Sequence, residues 1–430
     1  MKNVLPLGAK TNKKGRLEMG GVDMVELAKK FGTPLYVVDE ETVRQACRTY
    51  RKAFKGHKKF QPIFASKALS IKGILKIMDE EGVGADVSTS GELYTALKAG
   101  CDPKKIYFHG NNKLEDEIVY ALRSGIWCFV VDNLDELALL DRLTKKLKVK
   151  ANIMFRVNPG IEAHTHEFIR TGAIDSKFGI SKADLDKAVE LALTCGKLSL
   201  IGLHSHIGSQ IFDVKPFCAE VEVLFKMMSR IKKRFGIELG ELNIGGGIGI
   251  AYTEKDKNPS IEKYASEIVK VLKKFSKRYD VNLPKLVIEP GRSLVGRAGV
   301  TLYTVGTVKK IPGIRTYAVI DGGMSDNPRY ILYQARYSAF LANNMKAKKN
   351  QMITIAGRAC ESGDIIIKDI KFPSLKRGDI IAVASTGAYN YSMASNYNRI
   401  SRPAVALVKK GKSRVIVRRE TKEDIARNDL

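Results

Sequence analysis

Three short stretches carry residue types suited to one reactive site. Lys67 stands in Phe64-Ala-Ser-Lys67-Ala-Leu69, directly after an apolar run. A lysine buried in a pocket loses its proton more readily and becomes a nucleophile able to form a Schiff base. The plainer alternative is a surface lysine, in a chain with 73 Lys and Arg. Gly245-Gly246-Gly247-Ile248-Gly249 lets main-chain N–H groups converge on an anion without interference from Cβ atoms. The same run also reads as an ordinary tight turn. Glu289-Pro290-Gly291-Arg292 puts a carboxylate close to a guanidinium suited to a phosphate or carboxylate. Beside a pyridine nitrogen, a glutamate would keep that nitrogen protonated and make the ring an electron sink for carbanion chemistry.

His204-Ser205-His206 alternates along an expected strand, so both imidazoles should face one side. Such a pair suits a metal, but no third ligand is evident in the sequence, and no metal is expected. A ring stacked on a flat cofactor, or a hydrogen-bonded core histidine, fits better. Ser209 and Gln210 follow as loop hydrogen-bond donors. The six cysteines at 47, 101, 128, 195, 218 and 360 form no CxxC pair, which argues against a disulfide framework or structural zinc.

These groups need a frame. Between about residues 60 and 289, short β-rich runs alternate with amphipathic helical stretches. Strands are expected at 60–66, 83–88, 105–109, 127–131, 151–157, 200–206, 241–244 and 285–289. Eight strands alternating with helices predict a (β/α)8 TIM-type barrel. A Rossmann-type sheet would carry a GxGxxG turn after its first strand, and none is there. Catalytic groups in such barrels come from the C-terminal strand ends. Lys67, Asp86, His109, Arg156, His206, the glycine run and Glu289 to Arg292 all fall there. After residue 299 the pattern turns to short strands with turn punctuation, at 300–308, 316–320, 352–356, 364–370, 379–384, 405–409 and 414–418. We expect residues 38–298 to form the barrel, and 1–37 with 299–430 an all-β barrel or sandwich domain.

Composition narrows the function classes. The 430 residues are 44% hydrophobic, enough for a large core, and carry a net charge of +27. The charge is spread along helix faces, as in residues 270–277, without a basic tail or interleaved aromatics. Nucleic-acid binding is therefore not expected. No apolar run approaches the ~18 residues of a membrane helix. Residues 1–21 are polar and basic, without the apolar region of a secretory signal. A cytoplasmic protein is expected.

The chain resembles the diaminopimelate decarboxylases, within the alanine-racemase-like fold that also includes ornithine and arginine decarboxylases. The resemblance runs through nearly the whole sequence. It rests on Pro34-Leu-Tyr-Val-Val-Asp39, the Lys67 segment, Gly84-Ala-Asp86, Ser90-Gly-Glu-Leu93, His109-Gly-Asn-Asn-Lys113, Arg156-Val-Asn-Pro-Gly160 and Lys177-Phe-Gly179. It continues through Gly202-Leu-His-Ser-His-Ile-Gly-Ser-Gln210, the glycine run, Glu289 to Arg292, Asp321-Gly-Gly-Met324, Asn327-Pro-Arg329, Tyr333, Cys360-Glu-Ser-Gly-Asp364, Gly387-Ala-Tyr389 and Ser395-Asn-Tyr-Asn398.

The resemblance implies pyridoxal 5'-phosphate (PLP) as cofactor, with Lys67 as its Schiff-base lysine, His206 stacked on its face and Glu289 at its pyridine nitrogen. Asp86 and Gly291 belong to the same cofactor site. Ser209, Gly246, Gly247, Arg292 and Tyr389 are implied as phosphate ligands, with Arg292 and Tyr389 also near substrate. Arg329 and Tyr333 would hold a distal carboxylate, Glu361 would orient a distal ammonium, and Cys360 would protonate Cα. The implied reaction converts meso-2,6-diaminopimelate to L-lysine and CO2, the closing step of lysine biosynthesis. The implied assembly is a homodimer in which Cys360 and its neighbours serve the partner's site. Two departures stand out: Tyr330 replaces the family's usual proline after Arg329, and the residue before Cys360 is Ala359.

Other substrates on the same scaffold are arginine, ornithine and carboxynorspermidine. A substrate without a distal carboxylate would leave Arg329 without a partner. A non-catalytic PLP-binding protein would commonly lack Lys67 or Cys360, and both are present. Racemisation favours a weak electron sink, whereas Glu289 makes a strong one.

Overall fold

The structure is a computed structural model that describes residues 1–161 and 177–430. Its chain divides into two compact units. One comprises Ala46–Gly249 and Pro259–Gly291. The other comprises Met1–Gln45, Ile250–Asn258 and Arg292–Leu430.

The first unit is a closed barrel of eight parallel strands. They are β1 (Phe60–Ala65), β2 (Gly84–Val87), β3 (Ile106–Phe108), β4 (Cys128–Val131), β5 (Ala151–Arg156), β6 (Leu198–His204), β7 (Glu241–Asn243) and β8 (Lys285–Ile288). Their order around the barrel is their order in the chain, and β8 closes on β1 through Leu286 opposite Phe60. All eight predicted strands are found. Apolar runs without alternation suit strands covered on both faces, and β2, β3 and β4 are buried along their whole length. Ile63, Tyr107, Cys128, Val130, Met154 and Val287 pack together as one core cluster.

The helices between strands begin where the sequence supplies caps. Thr89 accepts from the Glu92 N–H, Asn133 from Glu136 and Ser260 from Lys263. The N-terminal barrel end is tied by Glu241, the first residue of β7. Its carboxylate takes hydrogen bonds from Tyr107 Oη (2.7 Å), Lys285 Nζ (2.9 Å) and Trp127 Nε1 (3.2 Å). Polar groups at that end serve stability, while the opposite end carries the chemistry.

The second unit is built on a nine-stranded sheet. Its axis is the 13-residue strand Gly299–Ile311, which pairs antiparallel with Leu35–Asp39, Arg315–Ile320 and Ile380–Ala384. Gln351–Ala356 and Ile365–Phe372 extend one edge, Ala404–Lys409 and Lys412–Val417 the other. All seven predicted strands are present. Two more strands of this sheet were not expected, nor was the separate three-stranded sheet of Lys10–Thr11, Leu17–Met19 and Val22–Asp23. Leu35–Asp39, buried throughout, lies between Gly299–Ile311 and Ala404–Lys409. Ala339–Leu341 pairs with Ile380–Ala384 and is too short to show a period. Two apolar clusters form the core, one around Leu35, Val37, Leu302 and Ala406, the other around Tyr303, Ile320, Ile355 and Phe372. No helix among the described residues is long and apolar enough to cross a membrane.

Candidate active site

The C-terminal strand ends of the barrel gather a connected polar network. Glu289, immediately after β8, is buried, and its Oε1 accepts from Asn243 Nδ2 at 2.7 Å. His109, after β3, places Nε2 2.9 Å from the same oxygen. His204, the last residue of β6, places Nε2 3.4 Å from Oε2. The two imidazoles meet edge to face, with centroids 4.8 Å apart. Asp86, on β2, stands 3.7 Å from His109 Nε2.

Burial alone would push Glu289 up, but His109 and His204 outweigh it and hold the carboxyl well below its usual range. Burial would also lower His109, yet Asp86 and Glu289 reverse that and raise it. Burial drives His204 down to about 4, so it is neutral near pH 7. Asp86 is pushed up to about 6 by burial, partly offset by His109. The result is a Glu289 carboxylate held between an imidazole of raised basicity, a neutral imidazole and an amide.

His109, His204 and Glu289 offer ligand atoms within 4.8 Å of one another, so the structure supplies the third metal-type ligand that the sequence did not reveal. Here the two imidazole Nε2 atoms lie 2.9 and 3.4 Å from oxygens of the carboxylate itself. His206 is not part of the trio. The strand ends at His204, so the expected alternation stops there, and His206 instead packs on the glycine run. Its Nδ1 accepts from the Gly246 N–H at 3.4 Å. Burial, and then the charge of Lys67, hold His206 well below its usual value and keep it neutral.

The glycine run is glycine for steric reasons. A Cβ on Gly246 would lie 2.0 Å from the Glu289 carbonyl oxygen, and one on Gly247 2.2 Å from that of Gly208. Gly247 also has φ +115°. Residues 245–247 are thus pressed between the loop after β6 and the main chain of Glu289. Ser209 is half-buried on that loop, next to Gly208. Gly291 packs on Ala65, where its Cβ would lie 3.0 Å from the alanine methyl.

Lys67 lies on a single 3-10 turn, Ser66–Ala68, directly after β1. It is exposed, whereas a buried lysine was expected. Its neighbours Ser66 and Ala68 are buried, so the turn is anchored while its middle residue points out of the packed interior. Asp86 and His206 both feel its charge. Two further motif residues have structural tasks. Lys113 is buried and bonded to Glu136 (2.7 Å) and to two carbonyls, and Arg156 lies 3.8 Å from Asp132 and stacks on Phe178.

The second unit carries the remaining predicted residues. Arg292 Cζ sits 4.7 Å from the Tyr389 ring centroid, and its Nη1 donates to Tyr252 Oη. Arg329 is buried at the start of the short helix Arg329–Tyr333, which half-buried Tyr333 ends. Its Nη1 donates to Tyr337 Oη at 2.6 Å, and its Cζ stacks 4.7 Å from the Tyr252 centroid. No described carboxylate lies within ion-pair distance of Arg329, and its buried Nε has no hydrogen-bond partner.

Cys360 and Glu361 are exposed on the loop after Gln351–Ala356. Asp364 anchors that loop by accepting from the N–H groups of Met324 (2.6 Å) and Ala359 (2.8 Å). Asn398 accepts from the Cys360 N–H at 2.7 Å. No hydrogen bond or ion pair among the described residues joins Cys360 or Glu361 to Arg329.

The barrel residues suit PLP. An ionised, buried carboxylate fits a protonated pyridine nitrogen, a neutral imidazole fits a flat ring face, and an exposed primary amine fits an aldehyde. Sequence reasoning noted His109 by position without a role, and weighed His204 as a metal ligand, a ring on the cofactor or a core histidine rather than as a partner of Glu289. It missed Asn243, Tyr252 and Tyr337 altogether. The strand-end rule marked His109, whereas Tyr252 carried only the weak signal of an aromatic just after the glycine run.

Comparison with known proteins gives the same cofactor class. Residues 40–296 match the family model described as pyridoxal-dependent decarboxylase, pyridoxal binding domain, and that is the class the barrel defines. Full-length relatives narrow it. The chain is 46% identical to the diaminopimelate decarboxylase of Bacillus subtilis (strain 168), covering 98% of this chain and 97% of the relative. It is 48% identical to that of Bacillus methanolicus, covering 96% of each. Among solved structures, diaminopimelate decarboxylase from M. jannaschii in complex with L-lysine superposes with a TM-score of 0.93 at 36% identity, covering 99% of this chain and 98% of the other. The chain belongs to the diaminopimelate decarboxylase family.

Proposed function

We propose that this chain decarboxylates meso-2,6-diaminopimelate to L-lysine and CO2, with PLP held at Lys67. The observation that carries the reading is Arg329, a buried guanidinium without a carboxylate partner among the described residues. A buried cation needs an anion. Diaminopimelate retains a carboxylate at its far end, whereas ornithine and arginine do not.

When bound, PLP supplies an electron sink for the pair left behind as CO2 departs. Lys67 would hold the cofactor aldehyde through its amine. Glu289, kept anionic by His109, holds a proton at the pyridine nitrogen. His206, Asp86 and Gly291 complete the ring site. Ser209, Gly246, Gly247, Arg292 and Tyr389 hold the phosphate. Arg329 and Tyr333 bind the distal carboxylate, Glu361 orients the distal ammonium, and Cys360 delivers a proton to Cα.

Cys360 and Glu361 are exposed on the single chain, which supports their service to the site of a second copy in a homodimer. The relatives' metabolic role supports a cytoplasmic location. The test is product analysis: full-length protein with PLP, incubated with each diaminopimelate stereoisomer, should yield CO2 and L-lysine from the meso form. Absence of lysine, or equal turnover of ornithine, would overturn the reading.

A further inference from the structure

Tyr252 lies on Ile250–Asn258, a segment between the glycine run and the helix Ile261–Tyr279 that belongs to the sheet unit. The segment is tied down locally. The N–H groups of Tyr252 and Thr253 donate to Asp256 (3.1 and 2.8 Å), and that of Ala251 donates to Asn258 (2.8 Å). The Tyr252 carbonyl accepts from Ser338 N–H at 2.9 Å. Tyr337 meets its ring edge-on at 5.4 Å and 89°. The ring therefore has a fixed position.

Two buried guanidiniums use different parts of this one side chain. Arg292 donates to the hydroxyl, and its Cζ is 5.7 Å from the ring centroid. Arg329 stacks on the ring at 4.7 Å. Two cations sharing a buried neighbourhood repel each other, and a phenol is suited to separate them. Its oxygen accepts a charge-assisted hydrogen bond, and its ring face attracts a cation. Burial pushes the phenol pKa up, but the two arginines outweigh burial and bring it below its usual value.

We infer that Tyr252 is a positioning residue that sets the two arginines for two different anions, its hydroxyl holding Arg292 for the cofactor phosphate and its ring holding Arg329 for the distal carboxylate of an amino dicarboxylate. The assignment of the two anions rests on the function proposed above. The residue thereby contributes to specificity without touching the reacting atoms.

The division predicts an asymmetric response in full-length protein. Tyr252→Phe removes only the hydroxyl. It should weaken PLP binding about tenfold, the scale of one hydrogen bond to a charged group. The KM for diaminopimelate should change by less than about threefold, because the cation–π face remains. Tyr252→Leu removes both and should raise the PLP Kd and also the KM, the latter by about tenfold. In both variants kcat at saturating PLP should stay within about threefold of wild type, since the reacting groups are untouched.

PLP affinity is read by absorbance titration of the cofactor-stripped protein, independent of turnover. An unchanged PLP Kd in Tyr252→Phe, or equal losses in Kd and KM in that variant, overturns the inference. If Tyr252→Leu does not fold, the near-isosteric Tyr252→Phe decides alone. A wild-type protein that binds PLP but yields no lysine would overturn the proposed function instead, while the PLP titration still judges the hydroxyl's role.

Discussion

His109 Nε2 lies 2.9 Å from Glu289 Oε1, with both side chains buried at the C-terminal end of the barrel. The pair makes stability depend on pH in a definite way. Pairing raises His109 above its unfolded value of 6.5, so its contribution is complete below that pH and disappears as pH rises through the raised folded value. Glu289 behaves oppositely. Its depressed folded pKa gives stability that is complete above 4.5 and is lost as pH falls through the folded value. His109→Gln should cost about 3 kcal/mol near pH 5.5, because it strips a buried carboxylate of its cation. The deficit should shrink as pH rises through the raised folded value of His109. Urea denaturation of wild type and variant across this range measures it, and a pH-independent deficit would contradict the pairing.

Gly246→Ala should damage both fold and cofactor site. The new methyl would stand 2.0 Å from the Glu289 carbonyl oxygen, a main-chain atom that cannot turn aside. We expect a loss of about 1–3 kcal/mol, as in overpacked cores, together with weaker PLP binding. Equilibrium unfolding and PLP titration read the two effects separately.

Lys67→Ala should separate chemistry from stability. The residue is exposed on its turn, so unfolding free energy should change by no more than about 0.5 kcal/mol. Turnover should fall by at least about 10³-fold, and the visible absorption of lysine-bound PLP should vanish. Retained absorption would mean that another amine holds the cofactor.

Arg329→Ala tests the distal carboxylate. Removing one partner of a buried charge pair costs about 2–5 kcal/mol, so kcat/KM for diaminopimelate should fall by at least about 30-fold. Turnover of a monocarboxylate such as ornithine, however slow, should not fall in parallel. A parallel loss would place Arg329 in general structure.

Mixing two inactive variants tests the proposed sharing of the site between subunits. Lys67→Ala and Cys360→Ala, each inactive alone, should regain about a quarter of wild-type activity after subunit exchange, because half of the dimers become mixed and each carries one intact site. No recovery, despite exchange shown by native mass spectrometry, would place Lys67 and Cys360 of the same chain in one site.

Much of this was legible from residues 60–289, because local periodicity specifies a strand or helix and a parallel barrel uses each strand in chain order. The strand-end rule also located Lys67, Asp86, His109 and Glu289 without any pairing information. Leu35–Asp39 was not legible as part of a sheet. Four apolar residues and an aspartate fit a barrel strand as well as a sheet strand, and its partners Gly299–Ile311 and Ala404–Lys409 lie far along the chain. Lys67 likewise read as a buried group, whereas its exposure follows from the turn after β1.

By itself, then, the sequence determined the barrel, the following β-rich domain and the order of reactive residues, since these rest on periods and motifs within a few residues of one another. Tertiary structure alone decided which side chains meet. His109, His204, Asn243 and Glu289 come from the ends of four different strands, and only closure of the barrel turns a glutamate into a clamped anion with a shifted pKa. Tyr252 reaches Arg292 and Arg329 in the same way, through packing between distant segments whose contacts leave no local pattern to read.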